Sequence, residues 1–321
     1  VSVGLKSVVK GCFFATVYDN KKIKNKKIMI KVNSVSGGQT SAYVMANFKA
    51  DYNIFQLVRT DFNDCLWMKG KDEKVRQQIS DRIGMDFIGT LEEDDIIYTI
   101  LDLEQYLGQE IKINTSEKTF EKMVFEHGER CLPSPLRRYC TEELKLEVAF
   151  NWWLNNVNQV VEMRIGYRAN EMKRMKSMLK KCNENDLLPF KHVVGSKEIK
   201  TGWQNVWETT YWQKPFFPLI EIKPTYKDEI QNYWKDKPVR FAEFNNCVGC
   251  FHRTPALLKY MWQKHPEKMQ VFANFEKNRK YNNDTLKAND DITYEKIKRM
   301  NLTEKLQFSD FSECDSGYCG V

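Results

Sequence analysis

The stretch KIMIKVNSVSGGQTSAYVMANF, residues 27–48, constrains the fold more than any other part of the chain. Its first part is rich in Ile and Val, as a buried strand is. Two adjacent glycines then interrupt it, and a helix-compatible run follows. The expected order is strand, tight glycine turn, helix. NIFQLVRT (residues 53–60) reads as a second strand, KDEKVRQQISDRIG as a charged helix, DIIYTIL from Asp95 as a third strand, and NQVVEMRIGYR (158–168) as another. Alternating strands and helices imply parallel strands joined by right-handed crossovers. The expected fold class is therefore α/β, a doubly wound, mainly parallel, Rossmann-like sheet covered on both faces, with ligands at the carboxyl ends of the strands.

Later signals give a helical C-terminal part. A helix is expected near Thr225 with Asp228 as a capping partner. Another is expected with Thr254 as N-cap and Pro255 in its first turn, closed by Pro266. Past residue 277 the chain turns polar, with little periodic apolar signal. Three parts follow: an extension over 1–26, a main domain over 27–277, and a polar tail over 278–321 carrying Cys314 and Cys319.

At 321 residues, 42% hydrophobic and 13% aromatic, the chain has material for a sizeable core. No apolar run approaches the roughly 20 residues that span a bilayer, and no secretory leader is readable, so a cytoplasmic protein without membrane contact is expected. In that compartment nine cysteines argue for metal binding or redox chemistry at some of them rather than for disulfides. The net charge of +7 comes partly from KKIKNKK at 21–27 and from Lys173, Arg174, Lys176, Lys180 and Lys181. Such runs suit a solvated surface or a polyanion, which leaves nucleic acid open as an acceptor beside a small metabolite.

SVSGGQTS, residues 34–41, is the candidate anion site. Its glycines let backbone approach an anion, the following helix presents unpaired N–H groups, and Ser36, Thr40 and Ser41 add hydroxyls. A glycine turn made only for packing is the competing reading. Among the other polar and aromatic residues, no histidine pair has zinc-protease spacing and no nucleophile elbow is present. Trp203, Trp207, Tyr211 and Trp212 stack a ring or pack a core, and their spacing favours the core.

Five elements in order carry a resemblance: SGGQTS at 36–41, RRYCTEELK at 137–145, GYRANE at 166–171, the Pro-Leu-Ile stretch from Pro218, and Cys247-x-x-Cys250. Together they resemble the PAPS-reductase family of the adenine-nucleotide α-hydrolase (PP-loop ATP pyrophosphatase) superfamily, over most of the chain. The resemblance is closest to the branch with Thr in the loop, common in phage-like members.

It implies a nucleotide cradled by Ser34, Ser36, Gly37, Gly38, Gln39, Thr40 and Ser41. Asp61 and Glu171 are candidates to hold Mg²⁺ or a ribose hydroxyl, with solvated loop carboxylates as the competing reading; Arg137 or Arg138, Lys145 and Arg168 are candidate cations for the charge developing at the α-phosphate, with surface salt-bridging as theirs. It also implies a Cys-ligated [4Fe–4S] cluster or Zn²⁺ on Cys140, Cys247 and Cys250, with Cys131 or a tail thiol as fourth ligand; a redox dithiol and inert thiols are the alternatives. Where many relatives have Lys-Asp, this chain has Gln39-Thr40, so a charge pair often present at the loop is missing. The expected activity is ATP-dependent adenylation with pyrophosphate release, with or without onward sulfur transfer. Sulfonucleotide (PAPS or APS) reduction by a tail thiol, or nucleotide or nucleic-acid binding without turnover, are its alternatives.

Overall fold

The computed structural model describes residues 29–63, 67, 70, 72–127, 132–135, 137–199, 202–277 and 293–301. The sequence features at 1–28, Cys131, Cys314 and Cys319 lie outside them.

Six strands, β1 (Ile30–Val35), β2 (Tyr52–Leu57), β3 (Lys112–Thr115), β4 (Val161–Arg164), β5 (Leu188–Ile199) and β6 (Gly202–Phe216), form one sheet in the order β3-β2-β1-β4-β6-β5. The pairs β1–β2, β2–β3, β1–β4 and β4–β6 are parallel, and β5 returns antiparallel to β6 at one edge. From β1 the chain first winds outward through β2 and β3, then resumes on the other side at β4. The switch point therefore falls between β1 and β4, where such sheets leave a crevice beyond the strand ends.

Helices cover both faces. On one, α1 (Gln39–Asn47), α2 (Glu73–Ile83), α3 (Asp95–Leu107) and α9 (Lys227–Trp234) pack on Val35, Phe55, Leu57 and Ile113. On the other, α6 (Glu147–Asn156) and α7 (Met172–Leu179) bury Phe150, Trp153 and Met178 against Val32, Ile54, Met163 and Trp212. A third core joins α4 (Phe120–Glu126), α10 (Pro255–Lys264), α11 (Pro266–Lys277) and α12 (Tyr294–Arg299) around Val58, just past β2, and Leu91. Among the described residues, short helices α5 (Tyr139–Thr141) and α8 (Pro218–Glu221) complete the set, and α5 runs through a π-helical turn, Glu142–Leu146, into α6.

Two expectations need correction. DIIYTIL is not a strand but the first half of α3, whose buried Ile96, Ile97, Ile100 and Leu103 fall on one helical stripe ending at a left-handed Gly108. β-branched residues favour strands, yet the period continues for 13 residues, too long for a typical strand. The polar tail also contributes to the core, because Tyr294 and Ile297 of α12 are buried, with Trp262 Nε1 donating to Tyr294 O at 3.0 Å. Two apolar residues three apart are too few to read as a period.

The helix expected near Thr225 begins two residues later, at Lys227, capped by Tyr226 with Glu229. Thr254 does cap α10, accepting from Leu257 N at 3.3 Å. Pro266 falls past the end of α10 and opens α11.

A buried polar rung lies inside the sheet, and nothing in the sequence patterning announces it. Asn33 donates to Asn53 Oδ1 at 2.9 Å and to Phe48 O at 3.0 Å, while Arg164 on the neighbouring strand donates to Phe48 O and Lys49 O at 3.0 and 2.8 Å. These donors satisfy carbonyls just past the C-terminus of α1, which otherwise have no intrahelical partner. They fix the helix whose other end forms the glycine turn.

Candidate functional site

The turn after β1 is organised from within. Gly37 takes φ +78°, and a β-carbon there would stand 2.7 Å from Ile96 Cγ2, so any side chain is excluded twice over. Ser41 is buried at the start of α1. Its hydroxyl accepts from Ser36 N at 3.0 Å, meets Ser36 Oγ at 3.0 Å and donates to Gly38 O at 3.0 Å. The Ser41 hydroxyl therefore shapes the loop rather than facing out of it. Ser34 and Thr40 are buried as well, and Gln39 O is held by Trp234 Nε1 at 3.0 Å.

The loop after β4 closes on this turn. A β-carbon at Gly166 would meet Ser41 Cα and N at 3.3 Å, so backbone lies directly on backbone across the switch point. Two residues on, Arg168 is buried at the head of a 3₁₀ turn, Ala169–Glu171, and its Nε donates to Glu171 Oε2 at 3.1 Å. Glu171 Oε2 also accepts from Arg168 N at 2.9 Å, and its other oxygen binds Arg174 Nη1 at 2.5 Å. Arg174 in turn lies 4.4 Å over the Tyr167 ring. Glu171 thus orients two guanidinium groups.

More cations crowd this side. Arg138 Nη2 lies 2.9 Å from His252 Nε2. Partial desolvation, then the charges of Arg138 and Arg174, push the His252 imidazole down to about 4, leaving it neutral near pH 7. Burial and the Arg138 charge likewise lower Lys181. Arg138 and Arg174 add to burial in keeping His252 uncharged, and Arg138 also acts on Lys181, so positive potential accumulates here, the condition for anion binding. Arg137 is exposed on the preceding loop, where it exchanges backbone hydrogen bonds with Ser134 at 3.1 Å.

Lys145 and Asp61 are engaged elsewhere. Lys145 Nζ pairs with buried Glu92 at 3.0 Å. Asp61, exposed past the end of β2, accepts a hydrogen bond from Thr119, and its N–H donates to Glu121 Oε2 at 3.0 Å.

The cysteine segment packs beside the Lys145–Glu92 pair. Cys247 bridges Glu92 as an isolated antiparallel pair, and Val248 N donates to Leu91 O at 2.9 Å. Arg253, buried, gathers the turn by donating to Asn245 O at 2.7 Å and Cys247 O at 3.2 Å. Burial above all, together with Glu92, raises the Cys247 thiol well above its ordinary value, and the same thiol senses both Cys250 and Cys140. Burial also raises Cys140. The three sulfurs expected as ligands therefore share one region. Among the described residues no three His, Cys, Asp or Glu side chains close to a metal-holding set.

A separate cleft of about 650 Å³ runs by the β3 edge, between Thr115, Lys118, Glu143 and Asn151, and includes none of the loop residues. No described helix is long and apolar enough to cross a membrane. No family model, curated protein or solved structure matches the chain.

Proposed function

We propose that the chain is an adenine-nucleotide-dependent enzyme that binds ATP on the Ser36–Gly37–Gly38 turn and directs an acceptor oxygen at the α-phosphate, releasing pyrophosphate. The observation that carries this reading is the meeting of two loops at the switch point. The left-handed Gly37 turn and the Gly166 loop touch there through backbone alone, with buried Arg168 two residues beyond. Backbone N–H groups at the start of α1 would cradle phosphate oxygens. Arg168, held by Glu171, and Arg138 would offset charge as it develops on the phosphorus-bound oxygens, and fixed donors of this kind need little reorganisation during reaction. The fold would then be that of the adenine-nucleotide α-hydrolases, which the order of sequence elements resembles.

Cys140, Cys247 and Cys250 are the residues that would hold Zn²⁺ or an iron–sulfur cluster, since thiolates select both. A bound centre would clamp the 245–250 turn onto the Cys140 helix.

The test is ATP binding by calorimetry, followed by pyrophosphate release in the presence of metabolite and nucleic-acid pools. Binding lost in Arg168→Ala, with turnover in one of the pools, supports the reading. Absence of ATP binding sinks it. Sulfite release from PAPS or APS would replace adenylation with reduction, and binding without turnover would leave a nucleotide-binding module.

A further inference from the structure

The β5–β6 pair runs past the sheet as a two-stranded arm, exposed along most of its length. Its aromatics do not pack a core as their spacing suggests. Trp212 at the root is buried, but Trp203 is 73% exposed, Trp207 54% and Tyr211 43%. Cross-strand partners share a face, and the register fixes which residues those are. Trp203, Asn205, Trp207 and Thr209 on β6 lie beside Glu198, Ser196, Val193 and Lys191 on β5, with Val194 as the extra residue of a bulge. The opposite face carries Gln204, Val206, Glu208 and Thr210, continuous with buried Trp212.

The aromatic face has a symmetry of its own. Lys191 stands at the Thr209 rung and Glu198 at the Trp203 rung, each three β6 residues from the Val206–Gly195 rung. These are its two charges, one of each sign, so the face is neutral on a chain of net charge +7. Rotation by two-fold symmetry about an axis running along that central rung in the plane of contact maps each rung from Trp203 to Thr209 onto its mirror position. Lys191 then lies over the partner's Glu198, Trp207 over the partner's Asn205, and Trp203 over the partner's Thr209. Opposite charges meet and both tryptophans face small side chains, the pattern that lets two faces interdigitate.

We infer that this face is a homodimer interface, in which two arms pack face to face and antiparallel. A second copy is favoured over nucleic acid because binding to phosphates draws on Lys and Arg, and this face has one lysine balanced by one glutamate. Trp203 and Trp207 expose on the order of 300 Å² per copy. Two arms with their flanking side chains then bury on the order of 1,000 Å² in total, at the lower end for specific interfaces. The dimer is accordingly expected to dissociate on dilution.

Sedimentation equilibrium of the full chain across micromolar concentrations tests it. The expected result is a reversible monomer–dimer equilibrium, weakened about tenfold (about 1.4 kcal/mol) by Lys191→Glu and restored by Lys191→Glu combined with Glu198→Lys. Both positions are exposed, and circular dichroism confirms that the variants fold. A monomer at every concentration overturns the inference, as does a dimer insensitive to Lys191→Glu. A monomer whose tryptophan fluorescence is quenched by a single-stranded oligonucleotide also overturns it, by assigning the face to nucleic acid.

Discussion

Gly166 lies against Ser41 so closely that a β-carbon on it would stand 3.3 Å from both the Cα and the amide nitrogen of Ser41. That distance is tighter than ordinary van der Waals contact, and the atoms opposed are backbone, which cannot rotate away. Gly166→Ala is expected to part the two loops by a few tenths of an ångström and weaken ATP binding several-fold with little loss of stability. Gly37→Ala, at φ +78° and with Ile96 in the way, is expected to weaken binding and also cost about 1–2 kcal/mol of stability. Calorimetric titration beside urea unfolding separates the two. Equal binding by wild type and Gly166→Ala would detach that contact from ligand affinity.

Lys145 is tied to Glu92, whose side chain is 4% exposed. Removing the lysine alone strands a buried carboxylate, so Lys145→Met is expected to destabilise the fold by about 3 kcal/mol. Lys145→Met combined with Glu92→Gln should recover most of that loss. Thermal and urea unfolding of the set measure this. Unchanged stability in the single variant would free Lys145 for a role at the phosphates.

Acid should unfold the chain partly through Glu93. Burial opposes ionisation of its carboxyl, but His265 at 3.4 Å and Lys264 at 3.0 Å outweigh burial and hold it below the usual range. A carboxyl that releases its proton more readily folded than unfolded stabilises the fold above the unfolded pKa of roughly 4.3. That contribution is lost as pH falls through the lower folded value. Urea midpoints measured from neutral pH into this acid range should decline less in Glu93→Gln, which begins from lower stability. Parallel curves would remove Glu93 as a source of the acid sensitivity.

Gly249, between Cys247 and Cys250, lies under the Phe272 ring, where a β-carbon would come within 2.4 Å. Gly249→Ala is expected to cost about 1–3 kcal/mol through overpacking and to disturb both thiols. Phe272→Leu in the same chain should relieve the overlap. Alkylation rates of Cys247 and Cys250 in chelator-treated protein at mildly alkaline pH report the disturbance directly: slow in wild type, where burial raises the Cys247 thiol, and faster in the single variant. An identical rate in both proteins would mean that the ring yields at no cost to the turn.

How far the sequence could be read depended on how local each signal was. The β1–turn–α1 unit was legible because strand, glycines and helix lie within one window. The cap on α10 was legible because Thr254 and Pro255 are adjacent. α3 was misread because the opening Ile-rich run satisfies strand preference before the helical period has had room to show. α12 escaped because two apolar residues make no pattern. The Asn33–Asn53–Arg164 rung left no trace, since its members meet only when β2 and β4 flank β1.

The sequence by itself determined an alternating α/β chain, the glycine turn and its position between strand and helix, because these follow from the backbone preferences of neighbouring residues. Only the tertiary structure decided which charges serve the turn. Glu171 is engaged with Arg168 and Arg174, and Lys145 with Glu92. Trp203 and Trp207 face out from an arm instead of filling a core, while Trp212 of the same strand is buried. Those outcomes depend on which groups the sheet order and helix packing bring within a few ångströms, and neither spacing along the chain nor residue type encodes that distance.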